Sequence, residues 1–277
     1  MYQQVVPVNK DRHAKTKVKI NNDFHFAAGF HLAYVTVHEF VRAAATYPLV
    51  FLEDQGEDAF RPVALLGLDA GENLFVNDRG GWDANYIPAI IRRYPFALTK
   101  SADADRYLVC IDEASDLISD SEGQALFDEQ GEPTQVIENV KRYLSELQQM
   151  DLMTKEFTRY LAQNNLLTPL SMRVNAADQV RNITGCYVIN EERLNNFSDT
   201  KFLEIRAQQY LPAVYAHLIS LPQIERLVSL KKGPAQGLVA SPVALADRVS
   251  SPAQASDAGN DSAGLAEANL RHAETLQ

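Results

Sequence analysis

The chain has 277 residues, 46% of them hydrophobic and 22% charged, and 26 Lys and Arg against 36 Asp and Glu give a formal net charge of −10. This is ordinary globular composition with enough apolar surface for a sizeable core. The acidic balance argues against a general nucleic-acid binder, which needs a basic face for the phosphate backbone. The longest stretch free of Asp, Glu, Lys and Arg, Ala207 to Ile224, contains Gln208, Gln209, His217 and two prolines. No membrane span is therefore predicted, since one needs about 20 predominantly apolar residues. Nor does an apolar run follow the basic residues of the N-terminus. That predicts no secretory signal peptide and a reducing, cytoplasmic location.

Short strand signals dominate the first hundred residues. Val5 to Asn9, Thr16 to Ile20, Leu32 to Val37, Pro48 to Asp54, Arg61 to Asp69, Asn73 to Asp78 and Arg106 to Glu113 each combine β-branched or aromatic residues with nearby turn formers. Gly71 falls between two of these runs and predicts a hairpin there. His38 to Thr46 reads as a short helix stopped before Pro48, and Asn85 to Tyr94 as a second one. Cys110 and Cys186 each lie in an apolar run, which predicts two buried free thiols. Beyond residue 113 come an acidic loop and turns at Ser121–Gly123 and Glu129–Gly131. Thr134 is then placed to N-cap an amphipathic helix to Asn164, either continuous or broken near Asp151 to Thr154. A strand pair is predicted at Leu170–Val174 and Thr184–Asn190, then helices from Asp199 to Gln209 and from Leu211 to Leu221. A last helix is opened by the capping-box spacing of Ser220 and Gln223. The pattern predicts an α+β fold, with a mainly antiparallel sheet in the N-terminal half packed with a helical C-terminal half. Residues 1–232 are predicted to form one domain. Residues 233–277, with 11 Ala among 45 residues and no aromatic side chain, read as a disordered tail with a weak helical patch at Gly264 to Leu276.

Common catalytic signatures are missing: no Walker-type loop, no Gly-x-Gly-x-x-Gly, no Gly-x-Ser-x-Gly, no His-Glu-x-x-His and no Cys-x-x-Cys. His25, His31 and His38, six and seven residues apart, could meet at a metal only if strands brought them together, and the acids from Asp112 to Glu122 lack the EF-hand order. No metal and no cofactor are expected. The densest segment is Gly80 to Phe96, which holds the only tryptophan. Trp82, Asp83, Tyr86, Arg92, Arg93 and Tyr94 are the candidate ligand-binding residues, with two readings open. In one they form a packing hub. In the other they line an aromatic and arginine pocket for a small anionic or sugar-like ligand. Arg92 and Arg93 would lie about 100° apart on a helix, so at most one should face a pocket with the aromatics.

The blocks PLVFLED, FRPVALLGLDAGENLFVND, GWDANYIPAIIRRYPF, LFDEQGEPT and YAHLISLPQIERL, in this order, resemble the SapC family of bacterial proteins, and the resemblance extends over residues 2–231. It implies association with a surface-layer locus or with carbohydrate uptake, and a bacterial protein partner, but transfers no catalytic residue. A soluble, non-enzymatic accessory or binding protein is the expected role. The alternative is an enzyme or enzyme partner acting on a small molecule or peptide with a protein similar to flavin-dependent tryptophan halogenases, which relatives have as neighbours. Deleting residues 233–277 should leave the melting temperature unchanged to within about a degree, because nothing there can bury a large apolar cluster. A drop of several degrees in a thermal melt would contradict the tail reading.

Overall fold

The computed structural model describes residues 2–20, 22–54, 59–100, 107–176 and 179–232. The predicted tail, 233–277, with its helical patch, lies outside the described residues. Among the described residues the strands form three antiparallel sheets. β1 (Val5–Pro7), β6 (Phe96–Lys100) and β7 (Tyr107–Asp112) make one, in the order β1-β7-β6. β2 (Lys17–Val18) lies between β8 (Ile118–Ser119) and β9 (Gln124–Ala125) in a second. The largest joins β3 (Leu32–Tyr34), β4 (Leu49–Asp54) and β5 (Ala59–Leu65) to the long hairpin of β10 (Leu167–Ala176) and β11 (Gln179–Ile189). Its order is β10-β11-β4-β5-β3. The C-terminal half thus contributes strands to the main sheet as well as helices. β6 is a strand the sequence reading did not anticipate.

The helices are α1 (Lys10–His13), α2 (Phe40–Ala43), α3 (Ala89–Arg92), α4 (Gln135–Gln163), α5 (Glu191–Asn195), α6 (Asp199–Ala207), α7 (Leu211–Ser220) and α8 (Gln223–Lys232). Of the two readings of the long helix, the continuous one is observed: α4 runs 29 residues without a break, about 43 Å at 1.5 Å per residue. None of these helices is long and apolar enough to cross a membrane. α4 packs on β5, α7 on β4 and β11, and α8 on β10. Leu49, Val50 and Phe51 are all buried, the continuous apolar run expected of a strand covered on both faces. Phe40 links Phe51 (ring centroids 6.3 Å apart) to Phe157 of α4 (5.8 Å, edge to face). A second cluster gathers Phe96, Ile111 and Leu126 around Ile137 and Leu144 of the same helix. Cys110 and Cys186 are free thiols, both buried.

Four local expectations are corrected. Asn73 to Asp78 forms no strand and only an isolated bridge, Val76 with Trp82, joins this region. The backbone is satisfied instead by irregular contacts: the Leu74 amide donates to the Leu66 carbonyl (2.9 Å), the Asn77 amide to the Gly81 carbonyl (2.9 Å) and the Phe75 amide to the Asn73 side chain (3.0 Å), while Glu72 accepts from the Leu68 and Asp69 amides of the preceding turn (3.0 and 2.9 Å). The helix predicted at Asn85 to Tyr94 shrinks to the four residues of α3, since Pro88 holds Ile87 out of helical geometry. Thr134 occupies the N-cap position of α4, but its hydroxyl donates to the Ala125 carbonyl (2.7 Å) and caps nothing. Ser220 likewise does not cap α8. Its hydroxyl donates to the His217 carbonyl (2.6 Å) and accepts from the Leu49 amide (3.0 Å), pinning α7 to the start of β4.

α7 carries a second pin. The Ile189 amide donates to Nε2 of His217 (3.0 Å), whose ring lies against Phe51 (centroids 5.1 Å apart) and is fully buried. Burial drives the imidazole pKa down from 6.5 to about 3, so the ring is neutral in the fold and becomes protonated only on unfolding in mild acid. The unfolded chain therefore binds more protons below about pH 6.5, and stability falls as the pH falls. The loss approaches about 1.4 kcal/mol per pH unit until the folded pKa is reached. Chemical denaturation between pH 7 and 4.5 should show this slope in the native sequence, and His217→Gln should flatten it. Equal slopes in both proteins would contradict the neutral buried imidazole.

Candidate ligand-binding site

The segment from Gly80 to Phe96 is built from its backbone outwards. Gly80 has φ +77°, and a Cβ there would collide with Asp23 and His25, so only glycine brings this turn against the 23–25 segment. Trp82 follows, half-buried and packed on the main core, with Phe24 edge to face at 5.6 Å. Its indole Nε1–H donates to the hydroxyl of the fully buried Tyr47 (2.8 Å), and that hydroxyl donates to the Tyr86 carbonyl. Asp83 is exposed and accepts from the Asn77 amide group at 2.8 Å.

Glu39, which is 5% exposed, sits at the centre of the next layer. One carboxylate oxygen accepts from the Thr36 amide (2.8 Å) and hydroxyl (3.0 Å), the other from the Tyr86 hydroxyl (2.7 Å) and the Ala89 amide (2.8 Å). A carboxylate out of water needs this many donors, and the arrangement fixes the start of α3 relative to α2. Burial first, and Glu39 second, raise the Tyr86 phenol, so it stays a donor. Tyr34 is raised by burial and then by Asp151, to which it donates at 2.6 Å.

From this platform the two arginines diverge. Arg92, at the end of α3, lies over the rings of Tyr86 and Tyr143, each centroid 5.7 Å from its guanidinium carbon, and its Nε–H donates to the Ile87 carbonyl (3.0 Å). Arg93 follows and lies over the Tyr2 ring at 5.7 Å. Burial raises the Tyr2 phenol, with Arg93 pulling it the other way. The Nε of Arg93 is buried without a hydrogen-bond partner, and among the described residues no carboxylate forms an ion pair with this side chain. Tyr94 stacks on Phe26 (4.3 Å) and donates to Asp112 at 3.3 Å. Asp112 is itself fully buried and accepts the Gln3 and Gln4 amides at 3.0 and 2.8 Å.

Two cavities flank this turn. One, of about 680 Å³, lies between α4 and the β4–β5 pair, with Tyr34, Glu39, Phe60, Arg93 and Asp151 in its wall. The other, of about 520 Å³, is walled by Phe24, Phe26, Ile91, Tyr94, Val140 and Tyr143 and also by Arg92 and Arg93. Both volumes suit a small molecule. Arg93 and Leu144 belong to both walls. The six predicted residues therefore separate. Arg92, Arg93 and Tyr94 line the second cavity, whereas Trp82, Asp83 and Tyr86 line neither and support the wall from behind. The expectation that only one arginine could face a pocket is corrected: Arg93 keeps helical geometry at the C-cap of α3, yet both long side chains reach the wall of the second cavity. Sequence reasoning did not single out Glu39, Phe26, Tyr143 or Asp151. The spacing Thr36-x-x-Glu39 is a capping-box signature that pointed to the first of these. Among the described residues no three His, Cys, Asp or Glu side chains are grouped to hold a metal ion. His25 is held by Asp23 (2.6 Å), and His38 is exposed.

These features define an α+β protein built around two side-chain-walled cavities that meet at an arginine. The SapC family model matches residues 8–227, so the chain belongs to the SapC family. No curated protein and no solved structure matches it.

Tyr47→Phe would leave the Trp82 indole N–H and the Tyr86 carbonyl without their shared partner, and should lower stability by about 1–3 kcal/mol. Trp82→Ala, which also removes packing, should cost about 3 kcal/mol. Urea denaturation of both variants measures this, and a loss under about 0.5 kcal/mol for Trp82→Ala would contradict its supporting role.

Proposed function

We propose that the protein is a non-catalytic binding module that takes a small ligand in the cavities beside Arg93. The observation that carries this reading is the Arg93 guanidinium itself. It is half-buried, its Nε is sealed from water without a partner, and it stands on a wall common to two cavities. Buried arginines are ordinarily paired, so an exogenous anion is the natural counter-ion. The residues around it favour binding over chemistry. Tyr94 and Tyr143 on the wall of the second cavity are held protonated by burial, and both thiols are buried in strands. Membership of the SapC family supports a setting in bacterial surface-layer or carbohydrate-uptake systems, with a protein partner receiving the ligand-bound form, as a soluble cytoplasmic accessory.

Isothermal titration of the full chain against a panel of small carboxylates, phosphates, amines and sugars tests the reading. At least one compound should bind with one-site saturation, and the fluorescence of Trp82, the only tryptophan, should change through its contact with Phe24. If no class of compound saturates, the binding reading fails.

A further inference from the structure

Taking the binding reading as its basis, we infer that the cavity between the Phe24–Phe26 segment and α4 is a site for an apolar monoanion, a carboxylate with a hydrocarbon or aryl body, its charge held by Arg93. Three observations lead there. The first is the wall. About two thirds of its lining residues are aliphatic or aromatic, Val18, Phe26, Ile91, Phe96, Val140 and Leu144 among them. The hydroxyls that could serve a sugar point elsewhere: Tyr94 donates to Asp112, Tyr143 to the Ala89 carbonyl (3.2 Å), and the Asn139 amide oxygen already accepts from Gln135 and Arg142. A polyhydroxyl ring would lose its water there and gain few partners.

The second observation is the charge count. Lys19, Arg92 and Arg93 face this cavity against one acid, Asp23. Lys19 pairs with Glu122 (3.4 Å), Asp23 holds His25, and Arg92 is occupied by two rings and the Ile87 carbonyl. Among the described residues neither arginine forms an ion pair, but Arg92 is exposed whereas Arg93 is half-buried with its Nε lacking a hydrogen-bond partner, so the cavity suits one negative charge at Arg93 and not the several of a polyphosphate. The planar fork of Arg93 matches a carboxylate, and the surrounding apolar wall strengthens the contact.

The third is the contrast across the shared wall. The larger cavity is lined by Glu39, Glu53, Asp54 and Asp151 against Arg61, Arg93 and Lys155. Arg61 meets Asp54 at 2.5 Å and Lys155 meets Asp151 at 3.3 Å, so its remaining field is acidic and repels an anion. Arg93 stands between an acidic chamber and an apolar, cationic one, and the anion's body belongs in the second.

The test is a matched series titrated calorimetrically into the full chain: octanoate, phenylacetate, octylamine, octanol, inorganic phosphate and glucose. Octanoate or phenylacetate should saturate one site, with octylamine and octanol weaker by at least about tenfold. Arg93→Gln should lower carboxylate affinity by a similar factor while octanol binding changes little. Val140→Trp, which fills the cavity from α4, should abolish both. Should Arg93→Gln fail to fold, Val140→Trp and the octanoate-to-octylamine ratio carry the test. Preference for glucose, phosphate or octylamine would overturn the ligand class and leave the binding reading standing. Carboxylate binding that survives both substitutions would overturn the site. Absence of saturation by every probe in this series and in the broader panel would overturn both.

Discussion

A carboxylate withdrawn from water costs several kcal/mol unless its lone pairs are filled, and Glu39 fills them with four donors from two places in the chain. Two come from Thr36, three residues away, and two from Tyr86 and Ala89, some fifty residues on. This joint sets the position of α3, and α3 sets where Arg92, Arg93 and Tyr94 emerge. The Tyr47 hydroxyl repeats the device one layer deeper, accepting from Trp82 and donating to the Tyr86 carbonyl. The arginine turn is thus held from behind by polar contacts whose strength depends on their exclusion from solvent.

The same economy recurs where the sheets end. Asp112, at the end of β7, takes the amides of Gln3 and Gln4 and the Tyr94 hydroxyl, so the N-terminal strand, the β6–β7 pair and the arginine turn converge on one buried carboxylate. On the other side of the fold, Ser220 and His217 of α7 receive the amides that open β4 and close β11. In each case a backbone group that the ladder cannot satisfy is paired by a side chain brought from a distant element.

Elements whose signal is periodic were legible in the sequence: β4, β5, β7, the β10–β11 pair, α4, α6 and α7 all form close to where apolar spacing put them. The misread places are those where a polar side chain had two uses. Ser220 and Gln223 have the spacing of a capping box, yet Ser220 is spent on Leu49 and His217. Asn73 to Asp78 has strand composition, yet the Asn73 side chain takes the Phe75 amide and the Asn77 amide turns to the Gly81 carbonyl, so no ladder forms. The candidate site was legible as a segment but not as a cavity. Arg92, Arg93 and Tyr94 stand out by composition, whereas their opposite wall comes from Phe24, Val140 and Tyr143, and no spacing rule connects residues 24, 93 and 140. The division of Gly80 to Phe96 into a supporting half and a lining half required the position of Glu39, which only the tertiary fold supplies.

The 29 residues of α4 have a consequence for how the molecule comes apart. Its first half, through Ile137 and Leu144, lies in the smaller core, and its second half, through Phe157 and Leu161, in the larger. A helix this long is cheap to extend and costly to restart, so neither core can melt without fraying the strut that the other needs. Amides from the two halves should therefore share a single free energy of opening, so that the two clusters behave as one cooperative foldon.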